Sequence, residues 1–182
     1  MTSLSLNILD IVQNSIRAGA RLITIDITES IKKDSLEIMI EDNGYGIPEE
    51  ILEKVTDPFV TTRTTRKIGL GLPLLKQHAN MAGGDVEIKS VKDKGTKVTA
   101  SFKLSHLDRQ PMGDIAGVVT ILIAANPKID FLYRHTTDKG KYEFSTSETK
   151  EVLEVNSFNN NELLENIKEM IKFNLDEIGV SD

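Results

Sequence analysis

The six residues Asp42-Asn43-Gly44-Tyr45-Gly46-Ile47 directly follow a stretch, Leu36–Glu41, in which apolar and polar residues alternate. That alternation is typical of a strand with one buried face. The two glycines permit positive φ angles and a close approach of the backbone to a ligand. The carboxylate of Asp42 can accept a hydrogen bond from an exocyclic amine such as that of adenine. Taken alone, the same residues also fit a tight turn between two elements.

A second group of polar residues lies on the predicted first helix, Leu4–Ala18, whose apolar residues recur every three to four positions. Asp10 and Asn14 are four residues apart and therefore share one face of this helix. A carboxylate on a rigid helix can act as a base towards water, and an amide oxygen can ligate Mg²⁺. A solvated helix face is the alternative interpretation.

The third segment, Lys67-Ile68-Gly69-Leu70-Gly71-Leu72-Pro73, precedes a helix predicted over Pro73–Met81. Glycines before a helix allow backbone N–H groups and the positive helix end to meet phosphates. No acidic residue occurs between Pro58 and Gly84, whereas four basic residues do: Arg63, Arg66, Lys67 and Lys76. This distribution suits a polyphosphate, although the glycines could also serve only for packing.

Composition restricts the classes of protein to be considered. The chain has 182 residues, no cysteine and a net charge of −6, which argues against disulfides, thiolate metal sites and nucleic-acid binding. Its longest apolar stretch, Ala116–Ala125, is about half as long as a membrane helix. We therefore expect a cytoplasmic protein that binds neither nucleic acid nor a membrane. The P-loop and Rossmann glycine patterns are absent.

The acidic charge is concentrated near the end of the chain. Residues 1–104 carry 14 basic and 14 acidic residues, whereas residues 105–182 carry 8 and 14. The motifs also end near residue 104, so we predict a motif-bearing domain over 1–104 and an acidic α/β extension over 105–182. The extension is predicted to contain a buried helix, two strands and a final amphipathic helix at 114–125, 128–133, 141–146 and 160–178.

The element order of the first part predicts its architecture. A helix, two strands, a short helix after Pro48, a loop over 57–68, a helix and a hairpin over 86–104 give the order αββααββ. This order is typical of an α/β (α+β) two-layer sandwich, with a mixed β-sheet and helices on one face.

Together the motifs resemble those of the GHKL superfamily, which includes gyrase-type topoisomerases, heat-shock chaperone ATPases, histidine kinases and mismatch-repair MutL proteins. The segments similar to its N box, G1 box, histidine-kinase F box, G2 box and short final motif are 10–20, 42–47, 57–62, 69–72 and 95–96. They stand in the family's order and spacing over about residues 4–104. That combination is far more specific than any single motif.

The resemblance implies the Bergerat fold with ATP and Mg²⁺ bound. It implies that Asn14 ligates Mg²⁺, Asp42 contacts the adenine amine and Thr96 joins the water network around adenine. The remaining contacts would come from glycines and from a mobile lid at about 57–71. The further nucleotide-binding residues implied are Gly44, Gly46, Thr62, Arg63, Lys67, Gly69, Leu70 and Gly71.

Asp10 occupies the catalytic position at which the family usually carries glutamate. The carboxylate of Asp10 is one methylene shorter and must orient a water molecule differently. The sequence therefore predicts ATP binding with slow hydrolysis.

Three functions remain open. They are a nucleotide-dependent switch or slow ATPase, a protein kinase that acts in trans on a separate partner (anti-sigma-factor-like or histidine-kinase-like), and a non-enzymatic ATP-binding module. The N box begins about ten residues from the start, so no phosphoacceptor hairpin is expected before it. His78, after the lid, is expected to be an ordinary helix residue. A protein partner is expected through 105–182 or the lid, and a homodimer is compatible with the sequence.

Overall fold

The structure is a computed structural model and describes residues 3–52, 54–55 and 70–180. Its helices are α1 Leu4–Arg17, α2 Glu49–Leu52, α3 Gly71–Met81, α4 Ile115–Ala125, α5 Thr146–Val152 and α6 Asn161–Ile178. Its strands are β1 Leu22–Ser30, β2 Ser35–Asp42, β3 Val86–Val91, β4 Gly95–Lys103, β5 Asp130–Thr136 and β6 Lys141–Ser145. No helix in the described ranges is long and apolar enough to cross a membrane.

The six strands form one sheet in the order β3-β4-β2-β1-β5-β6. Neighbouring strands are antiparallel except β1 and β5, which are parallel. Ile23, Ile25 and Ile27 of β1 alternate with more exposed residues and are fully buried. The predicted two-layer sandwich with a mixed sheet is confirmed.

Helices supply the other half of the core. In α1 the residues on the buried stripe are Leu4, Ile8, Ile11 and Val12. Helix α4 is apolar almost throughout, and eight of its residues are buried. The stripe of α6 formed by Ile167, Ile171 and Leu175 is buried in the same cluster, so the last helix folds back onto its own domain.

The sheet continues beyond residue 104, because β5 adds to the free edge of β1 and β6 adds to β5. The connecting segment is also bound to the start of the chain. The amides of Leu4 and Ser5 donate to the carbonyl oxygens of Pro111 and Met112, both at 2.9 Å. One sheet therefore runs through both predicted parts. The division of the chain into domains at 1–104 and 105–182 remains a prediction.

Several predicted boundaries differ from the structure. Helix α3 begins at Gly71, two residues before its predicted start at Pro73. The final helix begins at Asn161, one residue after its predicted start, and Asn160 is its N-cap. The strand predicted over 128–133 lies at Asp130–Thr136 instead. Helix α5 was not predicted; its first turn is stabilised by the side chain of Ser145, which accepts from the amide of Glu148.

A polar cluster explains why β5 extends further than its apolar residues indicated. His135 is fully buried, and its Nε2 lies 2.6 Å from Glu29 Oε1 of β1. Its Nδ1 lies 2.7 Å from the hydroxyl of Tyr133. Burial and the neighbouring Glu29 raise the pKa of Tyr133 well above its ordinary value. Because both ring nitrogens of His135 have hydrogen-bond partners, the strand can bury this side chain without leaving a polar atom unpaired.

Candidate functional site

Asp42, the last residue of β2, has a buried side chain whose two carboxylate oxygens both have partners. Oδ2 accepts a hydrogen bond from Ser15 Oγ at 2.6 Å, and Oδ1 accepts one from the amide of Gly44 at 2.9 Å. Hydrogen bonds to a charged group are worth about 1.5–3 kcal/mol each, so the carboxylate is held in one orientation. Each oxygen keeps a lone pair with which to accept from a ligand.

The turn after Asp42 is fixed from both sides. Asn43 Oδ1 accepts from the amides of Arg21 and Leu22 at 2.8 and 3.0 Å, which attaches the turn to the start of β1. Gly46 has a φ of 70°, and a Cβ there would overlap the carbonyl oxygen of Val91. Only glycine fits this position, which confirms a conformational reason for the second glycine of the motif.

A hydroxyl network lies beside this turn. Thr96, opposite Asp42 in the β2–β4 register, has its Oγ1 2.8 Å from Ser90 Oγ. Ser90 Oγ also accepts from the amide of Ile47 at 2.7 Å. The network joins β3, β4 and the glycine turn, and it offers polar groups to a ligand or to ordered water.

On the helical side, α1 and the start of α3 meet. A Cβ at Gly71 would lie 3.2 Å from Asp10 Cβ, so α3 begins directly against this residue. Asp10 is exposed. Leu70, the N-cap residue, has no side-chain cap hydrogen bond, and the backbone N–H groups of a helix N-terminus are suited to an anion.

These elements enclose one cavity lined by residues of both layers: Ile11, Asn14, Ser15, Ala18, Asp42, Gly46, Ile47, Leu72, Thr96 and Val98. The structure thus brings together four of the predicted ligand-binding residues, which are Asn14, Asp42, Gly46 and Thr96. Gly44 contributes its amide to Asp42, and Leu70 and Gly71 lie at the start of α3. The predicted residues Thr62, Arg63, Lys67 and Gly69 lie outside the described residues, as does most of the predicted lid.

No group of three or more acidic or histidine side chains suited to a metal ion occurs within the described ranges. The predicted Mg²⁺ ligand is the single amide of Asn14, and this assignment remains a prediction. Asn14 Oδ1 lies 3.5 Å from Arg17 Nη1, which is a long and weak hydrogen bond.

The roles of Ser15 and Ser90 at this site were not predicted from the sequence. Ser15 follows Asn14 directly and is therefore turned by about 100° around the helix, away from the face of Asp10 and towards the sheet. In the sequence, Ser15 could have been recognised as a polar residue within the apolar stripe of α1. Ser90 pairs with Thr96 across the β3–β4 hairpin, which the hairpin prediction could have indicated.

His78 is half-buried in α3, and burial lowers the pKa of its imidazole. Its Nδ1 is buried without a hydrogen-bond partner among the described residues. These surroundings are those of a histidine packed on a helix, as predicted from the sequence.

A helical layer packs against a mixed sheet, an oriented buried carboxylate lies at a glycine turn, and the N-terminus of α3 begins against α1. This arrangement is typical of a nucleotide-binding α/β sandwich. The family model described as "Histidine kinase-, DNA gyrase B-, and HSP90-like ATPase" matches residues 2–106. The chain belongs to this family, which confirms the GHKL resemblance, and it therefore carries an ATP-binding domain.

Two curated relatives from Bacillus subtilis (strain 168) are 35% identical to the chain. Sensor histidine kinase WalK aligns over 110 residues, which are 56% of this chain and 17% of the relative. Sporulation kinase D aligns over 101 residues, which are 54% of this chain and 19% of the relative. The chain thus spans less than a fifth of either kinase.

Solved structures share the fold at lower identity. The Aquifex aeolicus MutL ATPase domain complexed with ADP superposes with a TM-score of 0.52 at 17% identity, covering 85% of this chain and 70% of that domain. The N-terminal domain of a DNA repair protein gives 0.53 at 21% identity, covering 80% and 53%. Both cover more of the chain than the family match does, so the likeness in fold extends into residues 105–182.

Proposed function

We propose that the chain is a regulatory protein that binds Mg²⁺-ATP, changes state with the nucleotide and hydrolyses it slowly. The observation that carries this proposal is the buried Asp42 carboxylate, oriented by Ser15 and Gly44 and exposed on one side to the cavity. A fixed acceptor at this point selects a purine with an exocyclic amine. Thr96 and its hydroxyl network would hold the water around that base.

The phosphates would lie towards α3. Its N-terminus supplies backbone N–H groups and a positive dipole end beside Asp10. Asn14, on the same cavity and one turn from Asp10, would ligate the Mg²⁺ that neutralises phosphate charge. The family motif and the chemistry of each side chain support these two roles.

Asp10 would act as the base in turnover. It would accept a proton from the water molecule that attacks the terminal phosphorus of ATP, while ADP leaves with the electron pair of the broken P–O bond. Its side chain is exposed and short, which favours a low rate. We therefore expect nucleotide occupancy, more than turnover, to set the state of the protein.

Isothermal titration of the full chain with Mg²⁺-ATP tests the proposal. We expect micromolar affinity that weakens when EDTA removes the Mg²⁺ and when Asn14 is replaced by alanine. Asp10→Asn should retain the affinity and lose the turnover measured as released phosphate. Absence of binding to the wild-type chain would refute the proposal and leave a domain that keeps only the fold.

The names of the relatives, a sensor histidine kinase and a sporulation kinase, favour one second candidate, a protein kinase that acts in trans. Incubation with γ-labelled ATP and a co-encoded partner protein should then transfer the label to that partner. Label that appears only as free phosphate would support the switch with slow hydrolysis.

A further inference from the structure

Helices α5 and α6 leave an open groove of about 410 Å³ between them. Val152 and Leu153 form one wall, and Leu163 and Met170 form the other, with Ile167 between them. Val152 is 80% exposed, Leu153 44% and Met170 42%. Four large apolar side chains around one depression are an exposed apolar patch of the kind that marks binding surfaces.

The apolar side chains of α6 that line the groove differ from those that pack against the core, apart from Ile167. Helix α6 uses Ile167, Ile171 and Leu175 to contact the core. Leu163 and Met170 lie to one side of this stripe by the helical repeat, facing α5, and Phe173 continues the same edge with 64% exposure. The helix therefore has a second apolar edge that faces outward.

The surroundings of the groove are strongly acidic. Residues 146–178 contain eight acidic and three basic residues. Two of the three lysines are engaged away from the groove, since Lys150 pairs with Asp130 at 3.0 Å and Lys168 with Asp114 at 3.7 Å. Glu148 lines the groove, and Glu169 directly precedes Met170 in α6. Both carboxylates are exposed and have no ion-pair partner within the described ranges.

We propose that this groove binds an amphipathic helix of a partner protein that presents apolar side chains at i, i+3 or i+4, and i+7, with lysine or arginine beside them. The apolar walls require an apolar helix face, and the unpaired carboxylates require basic neighbours. A second copy of this chain is a poor occupant, because a two-fold interface would set two acidic rims against each other. The inference concerns a surface separate from the ATP cavity and goes beyond the proposed function.

The probe is a fluorescein-labelled helical peptide of about 18 residues, with leucine at the i, i+3, i+4, i+7 positions and lysine elsewhere. Fluorescence anisotropy with the full chain should give a Kd on the order of 10 µM at low salt, rising at 0.5 M salt as the charges are screened. A peptide of the same pattern with glutamate in place of lysine should bind at least about tenfold more weakly.

Substitutions test whether the peptide binds in the groove between α5 and α6. Val152→Ser combined with Met170→Gln should weaken lysine-peptide binding by at least about tenfold, whereas Leu107→Ser, at a residue 99% exposed elsewhere, should not. Glu148→Gln combined with Glu169→Gln should weaken it severalfold and reduce its salt dependence, whereas Glu37→Gln on the open sheet face should not. Circular dichroism checks that each variant is folded.

Equal binding of the two peptides, or unchanged binding to the groove variants, would overturn the inference. A wild-type dimer in sedimentation that dissociates with Val152→Ser would do so as well, since a second copy would then be the occupant. Mg²⁺-ATP titration on the same samples keeps the two proposals separate, because the groove variants should bind ATP as the wild type does.

Discussion

Replacing Asp42 with asparagine preserves the size of the side chain and changes only what it can donate and accept. The amide of Gly44 can only donate, so the asparagine must turn its carbonyl oxygen towards that amide. Its NH₂ group then occupies the position of Oδ2, where Ser15 Oγ can accept from it. Both neighbours keep a partner, and we expect little loss of stability.

The affinity for the nucleotide, in contrast to the stability of the protein, should fall. We expect the adenine amine to donate to Oδ2. In the variant it meets the NH₂ group at that position, so a hydrogen bond with a buried charge is lost. That loss is worth about 1.5–3 kcal/mol, which corresponds to about a 10- to 150-fold rise in Kd for Mg²⁺-ATP. Inosine carries a carbonyl oxygen in place of the amine. The variant should therefore bind Mg²⁺-ITP more tightly than Mg²⁺-ATP, reversing the preference of the wild type.

Isothermal titration with both nucleotides measures this reversal, and urea unfolding checks the fold. Asp93→Asn is the matched control, because it removes the same charge from an exposed turn residue at a φ of 61° that asparagine tolerates. Unchanged ATP affinity in Asp42→Asn would refute the assignment of Asp42 to the base. Equal weakening in Asp93→Asn would show that only the overall charge matters.

Three further outcomes are expected. Asp10→Glu, which gives the base a longer reach towards the phosphates, should raise phosphate release by about tenfold or more; an unchanged rate would separate Asp10 from the chemistry. Gly95→Ala should lower the free energy of unfolding by more than about 2 kcal/mol in urea, because Gly95 has a φ of 114° and a Cβ would overlap the carbonyl oxygen of Asp42. Gly140→Ala, which would meet only the Ile178 side chain at 3.2 Å, should change it by less than about 1 kcal/mol, and equal losses would contradict this reasoning. Burial raises the pKa of Tyr142 to about 12, so stability should fall as pH rises from about 10, where the unfolded tyrosine ionises, to 12. Tyr142→Phe should make that fall shallower, and a melting-temperature profile parallel to the wild type would argue against it.

The first four elements were predictable because their signals are local. Apolar alternation defines β1 and β2, and the glycine turn after Asp42 marks the end of a strand. The same locality explains the errors. Glycine is a poor helix former, so the start of α3 at Gly71 was placed too late. Helix α5 has little apolar periodicity, and its cap, Ser145, ends a strand at the same time.

Residues of the candidate site were predictable where backbone conformation or charge restricts the residue type. They were not predictable where their role depends on which other elements pack beside them. Gly46 and Asp42 carry recognisable requirements of conformation and charge. Ser15 and Ser90 matter only because other elements lie within hydrogen-bond distance of them. The pairing of β5 with β1 joins residues about a hundred positions apart, and no local pattern specifies such a partner.

The parallel pairing of β1 with β5 has a consequence for synthesis. At about 5–20 residues per second, residues 130–136 leave the ribosome roughly 5–20 s after β1 does. During that interval β1 has one unpaired edge, and its buried row of Ile23, Ile25 and Ile27 lacks part of its cover. Open strand edges recruit other chains. A fragment ending at residue 104 would keep that edge permanently, and we expect it to aggregate although it contains every nucleotide-binding motif.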